Sequence, residues 1–324
     1  MAKRYILLHL ASPNAKPLTL SALQSLRSEF YKCPKNRLAQ NICVQKDPLE
    51  VAVSRPRLEA LQHVFTHRVE EVKPVVDQKS SGRCWNFAVH NAMRIPFMKQ
   101  LNIEEFEFSQ AYFFYWDKIE RSYYFLNNIV ETAKRGEDVN GRLVACLLGD
   151  PIGDGGQWDM IVGIINKHGI MPKKCFPESF SCDLKAGEAV WFGCDVGARF
   201  ARYQGGIEDL DILDYKTLFN CDVALGMNKA ERLIYGDSLM THAMVFTGVG
   251  TDDKGNVTKF RVENSWGEGR GGEKGYLLMT VEWFRQYGYE VVIDKKYVSA
   301  DVMKVFNTEP IVLPAWDPMG SLAK

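Results

Sequence analysis

The chain has 324 residues, 46% of them hydrophobic, and its 40 basic residues balance 40 acidic ones. That is enough apolar material for one large or two ordinary domains, and the balance leaves no global field directed at nucleic acid or a membrane surface. No stretch approaches the roughly 18 apolar residues of a membrane span, and the eight cysteines contain no Cys-x-x-Cys pair, so they read as reduced thiols in a cytoplasmic protein.

Near the start, Tyr5 to Ala11 follow Lys3-Arg4 in the order of a signal peptide, but the apolar core is short and broken by His9. Residues 1–36 offer one short helix, over Leu20 to Phe30. His63 and His67 would share one face of a helix as zinc ligands do. No acidic or thiol partner completes a ligand set, so they read as packing or surface residues, and no metal or organic cofactor is expected.

The segment Gln78-Lys79-Ser80-Ser81-Gly82-Arg83-Cys84-Trp85 opens a run whose apolar members Trp85, Ala88, Val89 and Ala92 recur at helical spacing up to Pro96, where the ring should end the helix. Ser80, Ser81 and Gly82 supply cap and turn chemistry, which places the Cys84 thiol at a helix N-terminus that favours the thiolate. Gln78 is a neutral amide near enough in sequence to donate to an oxyanion. A lone cysteine is ordinarily a packing residue, and the surrounding segment is what argues otherwise. The aromatic run Tyr112 to Trp116 lacks the interleaved cations of a base-stacking surface and reads as helix core, within two helices over 109–149.

Asp154 is a candidate cap for a helix over Ile161 to His168, with Gly169 as its C-terminal residue. Gly155 and Gly156 would let another backbone approach closely, although a plain turn explains them almost as well. From Glu188 onward strand-like runs and glycine turns dominate. A hairpin from Met240 to Asn264, turning at Thr251–Asn256, would set His242 opposite Asn264, with the amide on the interior face shared by Phe260 and Val262. A lone buried histidine is ordinarily hydrogen-bonded core, but this one would have an amide partner. Gly267 to Gly272 also satisfies a dinucleotide fingerprint, but a strand rather than a helix follows, over Gly275 to Thr280. The tail Glu309–Lys324, with prolines spaced through its first part, reads as an extended arm.

The segment around Cys84 resembles that of papain-like cysteine peptidases and is most similar to the bleomycin hydrolase branch. The position that carries a disulfide cysteine in secreted relatives is Ser81 here, which favours a reducing compartment. Asn264-Ser265-Trp266-Gly267 is similar to the same family, and the order cysteine, histidine, asparagine is kept. The resemblance implies an α+β fold of two lobes: a helical lobe over 37–180 and a β-rich lobe over 181–308. Residues 1–36 would be a variant N-terminal segment and 309–324 an arm in the cleft. It further implies Cys84 as nucleophile, His242 and Asn264 as its partners, Gln78 at the oxyanion, and Trp266 as a lid over the histidine. Gly155 and Gly156 would bind substrate, and the carboxylate of Lys324 would pair with the substrate's free amine.

Segments over Lys173–Ser179 and Gly187–Asp195 both look like this branch, yet only Phe180 to Ala186 separate them, where the family carries a long helical insert that takes part in oligomer assembly. The implied activity is an intracellular aminopeptidase acting on peptides, bleomycin-type amides or thiolactones. The family's homo-oligomer is put in question by the missing insert. A catalytically silent form that binds peptides or partners is the main alternative. A transglutaminase-like acyl-transfer enzyme is disfavoured by the Asn-Ser-Trp-Gly segment, and nucleic-acid binding by the charge balance.

Overall fold

The apolar alternation of the second half builds a sheet, and the helical periodicity of the first half builds the layer packed on one of its faces. A computed structural model describes residues 18–69, 77–78, 81–104, 106–177, 190–197, 206–220, 226–269 and 272–312. In chain order the helices are α1 (Leu20–Lys32), α2 (Pro34–Gln45), α3 (Pro48–Val51), α4 (Arg55–Ala60), α5 (Cys84–Leu101), α6 (Gln110–Lys134), α7 (Arg142–Gly149) and α8 (Trp158–His168), then α9 (Tyr215–Phe219), α10 (Lys229–Ile234), α11 (Val281–Tyr287) and α12 (Ala300–Met303). The strands are β1 (His67–Arg68), β2 (Val190–Cys194), β3 (Ile207–Glu208), β4 (His242–Thr251), β5 (Val257–Glu263), β6 (Tyr276–Thr280) and β7 (Gly288–Val291).

The described residues fall into two compact units, one drawn from 1–52 and 214–224, the other from 53–213 and 225–324. The first is helical. Thr19 caps α1 by accepting from the Ala22 N–H, α2 opens on Pro34, and Asp214 caps α9 through the Thr217 N–H. Proline costs nothing at such a start, because the missing N–H would have had no helical partner.

The second unit holds the sheet, in the order β3-β6-β5-β4-β2-β7 with β1 added to β4; β3 runs parallel to β6, and the other neighbours are antiparallel. Alternation sorts its residues by face. Trp191, Ala243 and Val245 pack with Cys84, Trp85, Ala88, Val89, Phe113, Ile161 and Ile164 of the helices α5, α6 and α8. Phe192, Cys194, Met244, Val262, Leu277 and Met279 pack on the other side with Trp283 and Tyr287 of α11. Each large apolar side chain so enclosed contributes about 1.5–3 kcal/mol, so the sheet and α5 are fixed by burial from both sides.

Two helix expectations change. Pro96 does not end α5, which continues to Leu101 and stops at Asn102 in the left-handed region. Pro96 is exposed while Ile95 and Met98 on either side of it are buried, so packing of the apolar face outweighs one lost hydrogen bond. His63 and His67 do not share a helix: α4 ends at Ala60, and His67 lies in β1. The glycine-rich run after Asn264 leads into β6, as expected, with Gly272 at φ 97° against the Tyr276 carbonyl.

Candidate active site

Cys84 is the first residue of α5, and every residue from Cys84 to Asn91 is buried. The N-cap is Arg83, without a side-chain cap, and Ser81 serves Gln78 instead. Its hydroxyl donates to the Gln78 carbonyl at 2.8 Å, and the Gln78 Nε2 donates to the Ser81 carbonyl at 2.6 Å. The Ser265 hydroxyl donates to Gln78 Oε1, and the Gln78 N–H to the Ser265 carbonyl at 2.7 Å. The amide oxygen is thereby engaged and the amide nitrogen, with two hydrogens, keeps one beyond its bond to Ser81. Ser265 is a site residue that the sequence expectations left without a role, although it stands inside the Asn264–Gly267 motif.

His242 is the first residue of β4 and pairs with Cys194 on β2. Its Nε2 lies 2.8 Å from Asn264 Oδ1, which also accepts from the Ser265 N–H at 2.8 Å. The acceptor oxygen fixes the tautomer: Nε2 carries the hydrogen and Nδ1 is the nitrogen left for proton exchange. The Trp266 ring lies 5.1 Å from the imidazole, tilted by 35°. His242 and Asn264 are not opposite each other in the ladder, as the hairpin pattern suggests. The last β4–β5 pair is Val245 with Glu263, after register shifts at Phe246/Gly248 and Gly250/Thr251. Continued in that register, Asn264 would face Met244. The turn sets this offset, because Thr251 rather than Gly250 pairs with Val257 and the two register shifts cancel; the side chains make the meeting.

Cys84 packs in one core cluster with Ala243, the residue after His242, so the start of α5 and the start of β4 meet beside the histidine. Burial pushes the thiol up to about 11, opposed by the N–H groups of Ala243, Trp85 and Cys84 itself. Burial likewise lowers His242 to about 4, opposed by Asn264. The helix N-terminus therefore does not ionise the thiol alone, contrary to the expectation from its position. In surroundings this dry a lone thiolate or a lone imidazolium is disfavoured, and each is stabilised only by a nearby counter-charge.

Gly155 and Gly156 are buried beside α5. A Cβ on Gly156 would stand 2.6 Å from the Trp85 ring, and one on Gly82 would stand 2.8 Å from the Asp154 Cβ, so close approach demands glycine at both. Asp154 is not the α8 cap; Gln157 holds that position without a side-chain capping bond, and Asp154 instead pairs with Lys118 at 3.0 Å and accepts from the Gly82 N–H. Lys324 lies outside the described residues, as do Lys79, Ser80 and most of the C-terminal arm. Cys33, Cys43, Cys84, Cys175 and Cys194 are free thiols, and among the described residues no cluster of His, Cys, Asp or Glu could hold a metal ion. No described helix is long and apolar enough to cross a membrane.

The Peptidase C1-like family matches the chain over residues 17–184 and 182–320. Bleomycin hydrolase of Gallus gallus is 40% identical, covering 96% of this chain and 100% of that protein, and its human counterpart is 37% identical over 93% and 97%. Aminopeptidase C of Listeria monocytogenes is 31% identical over 94% and 99%. The crystal structure of PepW from Lactobacillus rhamnosis superposes with a TM-score of 0.85 at 30% identity, covering 95% of this chain and 99% of that one. The alignment to the Gallus gallus protein runs to 457 positions against the 324 residues here, and the family match breaks at 182–184, within the expected place of the missing insert. The fold is papain-like, the chain is a cysteine peptidase, and it belongs to the Peptidase C1-like family.

Proposed function

We propose that the chain is a cytoplasmic cysteine aminopeptidase that removes N-terminal residues from peptides and hydrolyses small amides or thiolactones of the bleomycin type. The observation that carries the catalytic assignment is the 2.8 Å bond from His242 to Asn264 beside a thiol that shares a core cluster with the next residue, Ala243. Cys84 Sγ passes its proton to His242 Nδ1 and attacks the carbonyl carbon of the first peptide bond. The tetrahedral oxyanion is held by the Cys84 backbone N–H and the second Nε2 hydrogen of Gln78. The imidazolium then protonates the leaving amine, and a thioester remains. Neutral His242 next takes a proton from water, hydroxide adds to the thioester, and the acid leaves as the thiol reforms. Asn264 Oδ1 holds the ring in one tautomer throughout, under the Trp266 indole.

Aminopeptidase rather than endopeptidase action is supported by the names of the relatives, bleomycin hydrolase and aminopeptidase C. In this reading the arm ending at Lys324 closes the non-primed side and its carboxylate pairs with the substrate's ammonium. The described free thiols suit a reducing compartment. An aminoacyl coumarin amide, its N-acetylated counterpart and Cys84→Ala test the assignment together. Turnover of the free amine alone, abolished by the substitution, is the expected outcome. Equal cleavage of both amides would refute the gating arm, and a folded chain with no turnover and no thiol labelling would refute the enzyme.

A further inference from the structure

The segment Ile152–Gly156 lies against the start of α5, and its backbone is held carbonyl by carbonyl. Lys118 of α6 donates from Nζ to the Ile152 carbonyl at 2.9 Å and the Gly153 carbonyl at 2.7 Å, and it pairs with Asp154 Oδ1 at 3.0 Å. Three partners use all three ammonium hydrogens. Trp85 Nε1 donates to the Asp154 carbonyl at 2.7 Å, and Arg121 Nη2 donates to the Gly155 carbonyl. Asp117, fully buried, stands behind both cations: its oxygens accept from Arg121 Nε at 2.7 and 2.9 Å, and Lys118 Nζ lies 3.7 Å away. The Arg121 guanidinium also covers the Trp85 ring at 5.7 Å. Four consecutive carbonyls thus accept from side chains rooted in two helices.

A glycine-rich segment loses more conformational freedom on ordering than other sequences, so its position is only as definite as what holds it. We propose that Lys118 and Arg121, braced by Asp117, are positioning residues: they set the Gly155–Gly156 backbone at the height at which an extended substrate docks beside Cys84. The proposal takes its substrate class from the peptidase reading, but its geometry does not depend on turnover. A fixed loop aligns the substrate before reaction, and misplacement by about 1 Å costs on the order of 100-fold in such sites.

The test compares the wild type with Lys118→Met and Arg121→Gln, with Arg121→Lys as the conservative replacement. KM and kcat are measured on an aminoacyl coumarin amide. Modification of Cys84 by a peptidyl epoxysuccinate, which must dock its backbone, and by iodoacetamide, which need not, is read by peptide mass spectrometry. The expected result is a fall in kcat/KM and in epoxide labelling of about 10-fold or more, with iodoacetamide labelling within about 2-fold, and partial rescue by lysine at 121. Equal slowing by both reagents, or no change with either, overturns the proposal. Should the wild type turn over no amide, the aminopeptidase reading falls and the labelling ratio still decides. Should Arg121→Gln not fold, Lys118→Met decides, because its loss leaves Asp117 paired with Arg121.

Discussion

At the scale of single residues, the proposed chemistry rests on two groups that burial pushes in opposite directions, Cys84 to about 11 and His242 to about 4. Their sum is one proton shared by the pair across a wide interval. Below about 4 the imidazole holds a proton that the thiol cannot supply, and above about 11 the thiol proton is gone and no general acid remains. The acid limb of kcat/KM should therefore fall with an apparent pKa no higher than about 4, well below the ordinary imidazole value of about 6.5. Asn264→Ala removes the one group that opposes the lowering of His242, so it should move that limb to still lower pH and reduce kcat by about 10- to 100-fold through loss of ring orientation. A limb at the ordinary value in the wild type would contradict a dry site. The residue types and their order were readable in the sequence, because Cys84, His242, Asn264 and Gln78 stand in motifs. The apolar pattern also places the Cys84 helix and the Asn264 amide in the interior, as they are, but the helix-end position alone does not show how strongly that burial opposes ionisation of the thiol. Glu208, fully buried without a partner among the described residues, is likewise silent in sequence.

At the scale of elements, local periodicity located α1, α5, α6, α7, α8 and the β4–β5 hairpin, with the starts of α1 and α5 and the end of α8, but not the other ends of those helices. Pro96 shows why: a breaker acts on one hydrogen bond, whereas the fate of the helix is set by the face it buries. The N–H that Pro96 lacks would serve the Ala92 carbonyl, and the ring is exposed on the solvent side of α5. Pro96→Ala restores that donor without opening a cavity, while it returns some freedom to the unfolded chain. Interior proline costs about 3 kcal/mol and the unfolded-state term about 0.4–1 kcal/mol, so a net stabilisation of about 2–2.6 kcal/mol is expected in urea denaturation, with kcat/KM unchanged. Destabilisation would mean that the proline relieves strain within α5. The hairpin register differs for a local reason: Asp252 accepts from the Lys254 and Asn256 N–H groups and closes the turn so that Thr251, not Gly250, pairs with Val257, and the two later shifts cancel.

At the scale of the whole molecule, the missing insert leaves a physical trace. Tyr115, Ile119, Tyr123, Leu126 and Val130 recur along α6 at helical spacing and are all exposed, Tyr123 to 68% and Leu126 to 60%, while Phe113 and Asp117 on another face are buried. Such a stripe is the pattern of a helix with two covered faces, and among the described residues only one is covered. The chain departs from α6 near the gap: Phe176 packs on Tyr112 at 5.7 Å, shortly before the break in the family match at 182–184. Apolar surface left in water binds apolar dyes and promotes association. Tyr123→Lys combined with Leu126→Glu should therefore lower dye fluorescence and light scattering at high concentration. Turnover should not change, because neither residue is part of the site. The substitutions cost little in the fold, since both side chains already face solvent, and surface changes of this kind stay within about 0.5 kcal/mol. Unchanged dye binding would mean that the stripe is covered, and then the apolar spacing of α6 would report a packed helix after all.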